Sequence, residues 1–222
     1  DQINGMAARI LKLQDDERRR IALALHDDTG QELSVLSINL SALKKRFDPD
    51  SVESEEISKC QIHLDKVLKE LRTLSYLLHP PMLDDAGLIS ALRWFVDGFS
   101  RRSDIEVSLK LDESIGRLPT EVETALYRVV QEALTNVHRH SSAKTASVSL
   151  DGNAREIILR ITDRGKGMPV ESGRDRPSDV TSIGVGIMGM RQRLAQLGGT
   201  LEIRSNARGT TVIASVPRRI EL

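Results

Sequence analysis

The sequence predicts an α-helical hairpin followed by an α+β sandwich. In roughly the first 80 of the 222 residues, apolar side chains recur at steps of three and four, which is the period of a helix. After Pro80 and Pro81, short stretches of alternating apolar and polar residues appear between amphipathic segments, as expected for strands that pack against helices. A chain of this length has room for two small domains, and we predict them at residues 1–80 and 81–222.

The composition argues against several classes of protein. The 32 acidic and 32 basic side chains balance, and aromatic residues make up only 3%, so neither a basic field nor a stacking platform indicates direct binding of nucleic acid. The single Cys60 excludes an internal disulfide. No apolar run has the length of a membrane span and no signal peptide opens the chain. We expect a soluble protein of a reducing compartment, or a fragment of one that begins upstream.

Apolar rows at heptad spacing predict the hairpin. The rows are Leu33, Leu36, Leu40, Leu43 and Phe47 on the first helix and Ile57, Cys60, Leu64, Val67, Leu71, Leu74 and Leu78 on the second. Residues 48–51, Asp-Pro-Asp-Ser, form the turn between them. A lone hairpin cannot cover both rows, so we expect two copies to form a four-helix bundle. Cys60 is then a small apolar member of its row.

An earlier row has a different register. It consists of Ile3, Met6, Ile10 and Leu13. Its extension reaches Ala24, whereas the later row runs back through Ala22 and Leu25, so the register fails across residues 15–20. Two interpretations remain open: a solvated turn with acid–base pairs, or a stutter where an incoming coiled coil meets the bundle.

The stretch around His26 carries the first candidate chemistry. Imidazole is the side chain best suited to exchange a labile group near neutral pH. Asp27 adjoins His26 and could orient or deprotonate its ring, and Gln31 shares a helix face with Asp27. Gly30 costs a helix roughly 1 kcal/mol relative to Ala, and a bare backbone there would let another protein approach closely. The alternative is an ordinary solvated helix face.

The second part alternates helices and strands. A third amphipathic helix is expected from Leu83 to Phe99, with Trp94 in the core. Strands are predicted at 105–111, 146–150, 156–162, 200–204 and 211–216, with helices from Pro119 to about His140 and around 187–197. Gly198 and Gly199 follow the last helix, as C-terminal glycines often do.

Three polar segments in this part together indicate an ATP site. Glu132 and Asn136 lie four apart on one helix and offer oxygens to a hard cation, although a polar outer face would look the same. Asp163 follows directly on a strand, where its carboxylate can accept the exocyclic amine of adenine. Two sets of glycines complete the pattern: Gly165 and Gly167 next to Asp163, and Gly184, Gly186 and Gly189 before a helix N-terminus that can bind phosphates.

These motifs resemble those of the two-component sensor histidine kinases. Residues 131–141 resemble the N box, 163–167 the first glycine box, 184–193 the second glycine box and 209–212 the closing glycine-threonine strand; residues 17–31 resemble the HDxxxQ phosphoacceptor motif of the nitrate-sensor branch and residues 77–88 its interdomain segment. The resemblance covers nearly the whole chain.

The resemblance implies a dimerisation and phosphotransfer bundle joined to a gyrase-like (Bergerat) ATPase domain. His26 would accept the γ-phosphoryl group of ATP on Nε2, with Asp27 as the activating base and Gln31 positioning water to hydrolyse the partner's phospho-aspartate. The implied ligand roles are Glu132 and Asn136 for Mg²⁺, Asp163 for selecting adenine, Gly165 and Gly167 for lining its pocket, Gly184 and Gly186 for the phosphate-facing lid, and Thr210 for a water-mediated contact on the adenine side.

The partners implied are a second copy of the chain and the receiver domain of a response regulator. The location implied is the cytoplasm, with any membrane contact made through an upstream segment that is absent here. Residues 170–183 would be a mobile lid, and the segment from Pro80 to Gly87 a hinge. The departures from the family pattern are Arg164, where Asn or Asp is usual, and Ala24, where Glu is frequent.

Two other functions are compatible with an ATP site. The bundle could be a dimeric scaffold for partners on which no phosphohistidine forms; the intact His26, Asp27 and Gln31 argue against this. A serine kinase that acts on an anti-sigma partner would have the same ATPase fold but no need of the hairpin. Other histidines compete with His26 as phosphoacceptor and lack its flanking acid or its position, namely His63, His79, His138 and His140.

Overall fold

The chain divides into two compact units. The structure is a computed structural model that describes residues 2–168 and 185–218. One unit is formed by Lys12–Pro81, and the other by Asp1–Leu11 together with Met82–Leu222. The division after Pro81 lies one residue from the predicted boundary, but the first eleven residues group with the second unit.

The helical unit contains the later part of one long helix and the whole of two others. Helix α1 spans Gln2–Ala24, a five-residue π-type turn spans Leu25–Thr29, α2 spans Gly30–Lys44 and α3 spans Val52–Leu78. The helix continues without a break through residues 15–20. The acid–base pairing expected there does occur, because Arg20 and Glu17 form an exposed ion pair at 2.6 Å along α1.

The π-type turn explains a change of register before α2. The N–H of Gly30 donates to the carbonyl oxygen of Leu25, five residues earlier, whereas an α-helix bonds four residues back. The buried or partly buried row along α1 and α2 accordingly advances by five at this point. Its members are Ala22, Leu25, Gly30, Leu33, Ser37, Leu40 and Lys44. One extra residue in the turn therefore keeps a single face of the helical path against α3.

Helices α2 and α3 pack as the predicted hairpin. The side-chain oxygen of Ser51 accepts the N–H of Ser54 and caps α3, whose first turn carries Glu53 and Glu55, favourable for the helix dipole. The helix ends at Leu78, before the two prolines. The inner row of α3 consists of Ser54, Ile57, Gln61, Leu64, Leu68, Leu71, Ser75 and Leu78.

Each predicted apolar row is split between two faces. In α3, Ile57 and Leu64 belong to the inner row, whereas Val67 and Leu74 are 48% and 56% exposed and Cys60 is also exposed. The first row is split in the same way: Leu33 and Leu40 are partly covered, and Leu36, Leu43 and Phe47 are exposed. Packing of α2 against α3 thus covers one side of each row. The other side stays exposed to solvent and forms an apolar edge on the outside of the hairpin. Cys60 therefore lies on the uncovered edge.

The second unit contains a five-stranded sheet in the order β1-β2-β3-β5-β4. The strands are β1 Glu106–Leu111, β2 Thr145–Gly152, β3 Glu156–Asp163, β4 Thr200–Asn206 and β5 Gly209–Pro217. Strand β1 pairs parallel with β2, and the other pairs are antiparallel. All five predicted strands are present, and their ends differ from the prediction by at most two residues.

Helices α4 (Pro81–Ser103), α5 (Thr120–Asn136) and α6 (Val185–Gln196) contribute to the core with the sheet. Alternate residues of β3 are buried, including Ile157, Leu159 and Ile161. Asp163 continues that alternation at the strand end, so its carboxylate lies on the buried face of the sheet. Trp94 is only partly buried and packs against the core from outside.

Helix α4 breaks at Gly87, inside the segment predicted as a hinge. Its φ of 79° and ψ of 179° are non-helical, and a Cβ there would come within 2.8 Å of Cδ of Arg117. The guanidinium of Arg117 donates to the carbonyl oxygens of Asp84 and Asp85 and to the buried carboxylate of Glu123. This arrangement fixes the beginning of α4 to the beginning of α5.

The helix expected to reach His140 changes form near its end. Helix α5 ends at Asn136, and Val137–Ser141 form a second π-type turn that closes with Ser142 in the left-handed conformation. None of the helices in the two described stretches is long and apolar enough to cross a membrane.

Candidate active site

A groove of about 410 Å³ lies beside the first π-type turn. His26, Asp27 and Gln31 all line it and are exposed to solvent. The other lining residues are Gly30, Ser34, Val35, Ile38, Leu68, Leu71, Arg72 and Ser75. The structure therefore brings the predicted phosphoacceptor His26 together with Asp27 and Gln31 of the same motif in one accessible groove between α2 and α3.

His26 contacts α3 through its ring. The centroids of the His26 and Tyr76 rings are 6.4 Å apart with their planes at 77°, an edge-to-face arrangement. In the part of the chain that the structure describes, no hydrogen bond joins His26 to Asp27 or Gln31. Successive side chains on a helix point about 100° apart, and in this rotamer the Asp27 carboxylate does not reach the ring. The imidazole is therefore open to an approaching group.

Gly30 is not required for packing within the hairpin. A Cβ at this position would lie 3.6 Å from the carbonyl oxygen of Leu25 and 3.9 Å from a methyl group of Leu71, which are ordinary contacts. Ser34 donates to the carbonyl oxygen of Gly30 at 2.7 Å. The backbone at Gly30 also lines the groove, as the expectation of a close approach requires.

A second pocket, of about 380 Å³, lies in the α+β unit. Its lining includes Glu132, Asn136, Asp163, Gly167, Gly186 and Thr210, all predicted for the ATP site. Gly165, next to lining residue Lys166, and Gly189 are not in the lining, and Gly184 and residues 170–183 lie outside the described residues. The lining residues are Glu132, Ala133, Asn136, Val137, His140, Ser141, Ile161, Asp163, Lys166, Gly167, Met168, Gly186, Ile187, Met190, Ile203, Thr210 and Val212. Polar groups thus surround an apolar floor, as in many small-molecule sites.

Asp163 lies at the inner end of this pocket. It is 5% exposed, and its Oδ1 accepts the N–H of Gly165 at 2.8 Å. That bond turns the chain sharply after β3 and holds the carboxylate in one orientation. Since Asp163 still lines the pocket, the group offers acceptor capacity to a ligand amine.

Three glycines allow the chain to close tightly around Asp163. A Cβ on Gly165 would overlap the carbonyl oxygen of Ser141, and one on Gly167, which has a φ of 70°, would overlap that of Asn206. A Cβ on Gly209, at a φ of 132°, would overlap the carbonyl oxygen of Asp163 itself. The glycine loop (residues 164–167), the π-type turn after α5 and the β4–β5 turn are therefore packed backbone to backbone.

Hydroxyl groups connect Thr210 to the glycine loop. The hydroxyls of Thr210 and Ser205 lie 3.0 Å apart, and the Ser205 hydroxyl accepts the N–H of Met168 at 2.7 Å. On the other side, the carbonyl oxygen of buried Ser141 accepts the N–H of Lys166 at 2.9 Å. Thr210 is thus part of the wall of the pocket, together with the adjacent turn.

Glu132 and Asn136 lie one turn apart on α5 and both line the pocket. A Cβ on Gly186 would overlap Oε1 of Glu132, so the carboxylate is seated against the bare backbone of α6. Carboxylate and amide oxygens suit Mg²⁺. The described residues contain no cluster of three or more His, Cys, Asp or Glu side chains, so phosphate oxygens and water would supply the other ligands. This donor set fits a nucleotide-bound Mg²⁺.

Sequence reasoning missed several residues of both sites. Ser141 and Ser205 fix the glycine loop, but a single serine at the end of a helix or strand gives no signal by itself. Tyr76 and Arg72 lie four residues apart on α3, and that spacing puts them on one helix face. Only the pairing of α3 with the π-type turn shows that this face lies beside His26.

The sandwich with its glycine-bounded pocket is the ATP-binding class of domain that the sequence predicts. Residues 121–220 match the HATPase_c family, described as "Histidine kinase-, DNA gyrase B-, and HSP90-like ATPase". Residues 17–83 match the HisKA_3 family, described as "Histidine kinase". One match falls mainly on the helical part of the chain and the other on the α+β part, and the chain belongs to the sensor histidine kinases.

Individual relatives agree with the family assignment. The chain is 34% identical over 213 residues to the oxygen sensor histidine kinase NreB of Staphylococcus carnosus, covering 96% of this chain and 59% of that protein. It is 30% identical over 211 residues to the signal transduction histidine-protein kinase/phosphatase DegS of Brevibacillus brevis, covering 94% and 53%. The chain therefore spans little more than half the length of these relatives.

The fold has a counterpart among solved structures. The histidine kinase domain of the blue-light activated histidine kinase EL346 from Erythrobacter litoralis superimposes with a TM-score of 0.50 at 19% identity. The match covers 85% of this chain and 94% of that domain. The predicted combination of a helical part and an ATPase sandwich is confirmed.

Proposed function

We propose that this chain is the catalytic core of a sensor histidine kinase that phosphorylates its own His26 with ATP. The observation that carries the proposal is the exposed imidazole of His26, which lies in an open groove with Asp27 and Gln31 and has no hydrogen bond within the described residues. The family match supplies the reaction class, and the pocket bounded by Asp163 supplies a nucleotide site.

The reaction is a transfer of one phosphoryl group. Nε2 of His26 attacks the γ-phosphorus, the bond from that phosphorus to the bridging oxygen breaks, and its electron pair leaves with ADP. The proton on Nδ1 is drawn toward the carboxylate of Asp27 as the ring becomes positive, so Asp27 acts as the base. Catalysis here consists mainly of aligning the reactants and neutralising charge. The bundle must therefore expose the His26 imidazole so that ATP can reach it.

The nucleotide roles are those that the family resemblance implies, and the lining of the pocket supports them. Asp163 accepts the exocyclic amine of adenine, Gly167 lines the ring, and Thr210 supports the adenine side through water. Gly165, predicted to line the ring as well, instead forms the turn that orients Asp163. Glu132 and Asn136 hold Mg²⁺, which neutralises phosphate charge when it is bound. Gly186, with Gly184 of the undescribed stretch, gives backbone N–H groups to the phosphates.

The partners are a second copy of the chain and a response regulator. The exposed apolar edge that contains Val67 and Leu74 is the surface on which two hairpins form a four-helix bundle. A receiver-domain aspartate then takes the phosphoryl group from His26, and Gln31 positions the water that hydrolyses the resulting phospho-aspartate. The kinase/phosphatase named among the relatives supports this second activity. These steps take place in the cytoplasm, where ATP is available.

The direct experiment incubates the chain with Mg²⁺ and γ-labelled ATP. We expect wild-type protein to acquire label that acid removes and base preserves, as a phosphoramidate requires. His26→Gln should acquire none while still binding ATP, and His63→Gln, at an exposed histidine of α3, is the matched control that should label normally. A folded, ATP-bound wild-type protein that acquires no label would support the alternative, a dimeric scaffold.

A further inference from the structure

The groove beside His26 contains a cation that the phosphoacceptor motif does not account for. Arg72 lines it from α3, with an exposed side chain. Within the described part of the chain, Arg72 makes no hydrogen bond or ion pair. The other titratable residues that line the groove are His26 and Asp27. Arg72 is therefore the one permanent positive charge among its described lining residues.

Arg72 and the imidazole of His26 line the same groove. Arg72 is four residues before Tyr76, whose ring contacts that of His26, so Arg72 and Tyr76 share a face of the helix. Its neighbour Leu71 lies against Gly30, which puts Arg72 at the level of Gly30 and Gln31. A helical side chain leans toward the N-terminus of its helix, so the Tyr76 ring that contacts His26 leans toward the turn that carries Arg72.

Phosphorylation of His26 puts several negative charges close together, and a positive charge in the groove would stabilise them. A phosphoryl group on Nε2 carries close to two negative charges, and Asp27 beside it adds a third. A receiver carboxylate that attacks the phosphorus adds another. Guanidinium groups bind phosphoryl oxygens strongly because their N–H groups match two oxygens at once.

We propose that Arg72 binds the phosphoryl group on His26 and stabilises it during transfer to the receiver aspartate. In that step the Nε2–phosphorus bond breaks and its electron pair returns to the imidazole, while a carboxylate oxygen forms the new bond to phosphorus. Arg72 forms and breaks no covalent bond; it reduces the repulsion between two anions. The inference rests on His26 as the phosphoacceptor but does not depend on how the phosphoryl group arrives there.

The test measures the phosphoryl group directly by ³¹P NMR. Potassium phosphoramidate can load histidines without ATP, so the measurement survives a failure of autophosphorylation. The His26 resonance is the one that is missing in a His26→Gln sample. Its chemical shift is followed with pH in wild type, Arg72→Gln, Arg72→Lys and Lys69→Gln. Lys69 is an exposed cation one turn earlier on α3 that does not line the groove.

A nearby cation favours the dianionic phosphoryl group, so its loss should raise the phosphoryl pKa. We expect a rise of about half a unit or more in Arg72→Gln, allowing for solvent screening, and little change in Arg72→Lys or Lys69→Gln. An unchanged pKa in Arg72→Gln, or an equal rise in Lys69→Gln, would overturn the proposal. So would a folded wild-type protein whose His26 is phosphorylated by neither phosphoramidate nor ATP.

Discussion

Asp163 has the most restricted chemistry of the residues in the nucleotide pocket. It is almost fully buried, and one carboxylate oxygen already accepts the N–H of Gly165. The remaining acceptor capacity is directed to a single ligand group. Specificity for adenine therefore depends on Asp163 being a hydrogen-bond acceptor. The shape of the pocket alone would not distinguish a base with an exocyclic amine from one with a carbonyl oxygen at the same position.

Asp163→Asn should reduce ATP affinity about a hundredfold. The amide oxygen can still accept from Gly165, which leaves the amide NH₂ facing the adenine amine, and two buried donors that face each other cost on the order of 1–3 kcal/mol. Isothermal titration with ATP measures the change. Asp151→Asn, on β2 and outside the pocket, is the control and should bind normally; equal affinity of both variants with wild type would remove Asp163 from the site.

At the scale of elements, α5 and α6 meet through Glu132 and Gly186. This contact has no sequence signature, because a glycine in a G-x-G pattern is equally compatible with a phosphate contact or a turn. The structure shows that the space beside Gly186 is occupied by the carboxylate that we assign to Mg²⁺. Any side chain there must displace Glu132.

Gly186→Ala should therefore weaken binding of Mg²⁺–ATP while leaving the fold intact. Because the group displaced is the end of a flexible side chain, we expect a loss of about tenfold in affinity, or ~1.4 kcal/mol, with Mg²⁺ and a smaller loss in EDTA. Gly189→Ala is the matched control: it lies in the same helix, and its Cβ would meet Arg193 at 3.4 Å. If both variants bind Mg²⁺–ATP like wild type, Glu132 does not serve the cation.

Tyr127 connects α5 to α4 and makes the stability of this unit sensitive to alkaline pH. Its ring is fully buried against Phe95, at a centroid distance of 5.6 Å. Burial raises the pKa of Tyr127 above its ordinary value of 10.0. The folded state thus favours the protonated phenol, so this contribution to stability is complete below pH 10 and is lost as the pH rises above it.

The stability of the Tyr127→Phe variant should fall less than that of wild type as the pH rises above 10. Between about pH 8 and about pH 11, wild type should lose about 1.4 kcal/mol more in free energy of unfolding than Tyr127→Phe, the linkage value for one pH unit above the unfolded pKa. Urea unfolding at the two pH values measures it. Tyr76→Phe is the control, since Tyr76 lies in the helical unit; identical pH dependence in wild type and Tyr127→Phe would contradict the interpretation.

Periodicity predicted the elements of this fold well and their finer geometry poorly. The strands and the hairpin follow from apolar spacing, because burial of one face dictates which residues can be apolar. The π-type turns at 25–29 and 137–141 could not be predicted, since one extra residue per turn costs little and changes no residue type. The break at Gly87 also depends on Arg117, thirty residues later in the sequence.

The residues of the candidate sites also divide into those that the sequence predicted and those that it did not. His26, Asp27, Glu132, Asn136 and Asp163 were identified because their side chains carry recognisable chemistry at a recognisable spacing. Residues that act by position were not, among them Tyr76, Arg72, Ser141 and Ser205. Their contribution arises from distant segments that meet only in the folded chain.

For the whole molecule, the exposed apolar edge of the hairpin is the main feature that one chain leaves unexplained. Val67 and Leu74 on α3 and Leu36 on α2 are 48%, 56% and 46% exposed. They recur at intervals of seven along their helices, as Leu36 does with Leu43 and Val67 with Cys60 and Leu74. Such spacing is typical of a helix seam that a partner covers.

Val67→Glu should dissociate the dimer. A charge in the centre of an apolar seam loses solvation without gaining a partner, so we expect a shift to monomer at micromolar concentration in analytical ultracentrifugation. Ile62→Glu is the control, because Ile62 is 68% exposed on the same helix but lies off the seam, and it should remain dimeric. A wild-type chain that is already monomeric under these conditions would contradict the account.

The central claim is that ATP phosphorylates His26, and peptide mapping tests it most directly. Trypsin should release residues 21–44, between Arg20 and Lys44, as a peptide that contains His26 as its only histidine. After incubation with Mg²⁺–ATP and digestion at neutral to mildly basic pH, mass spectrometry should find this peptide heavier by one phosphoryl group, with the addition lost on brief acid treatment. An addition that survives acid, pointing to one of its serines or Thr29, or one found on a different peptide, would contradict the assignment of His26.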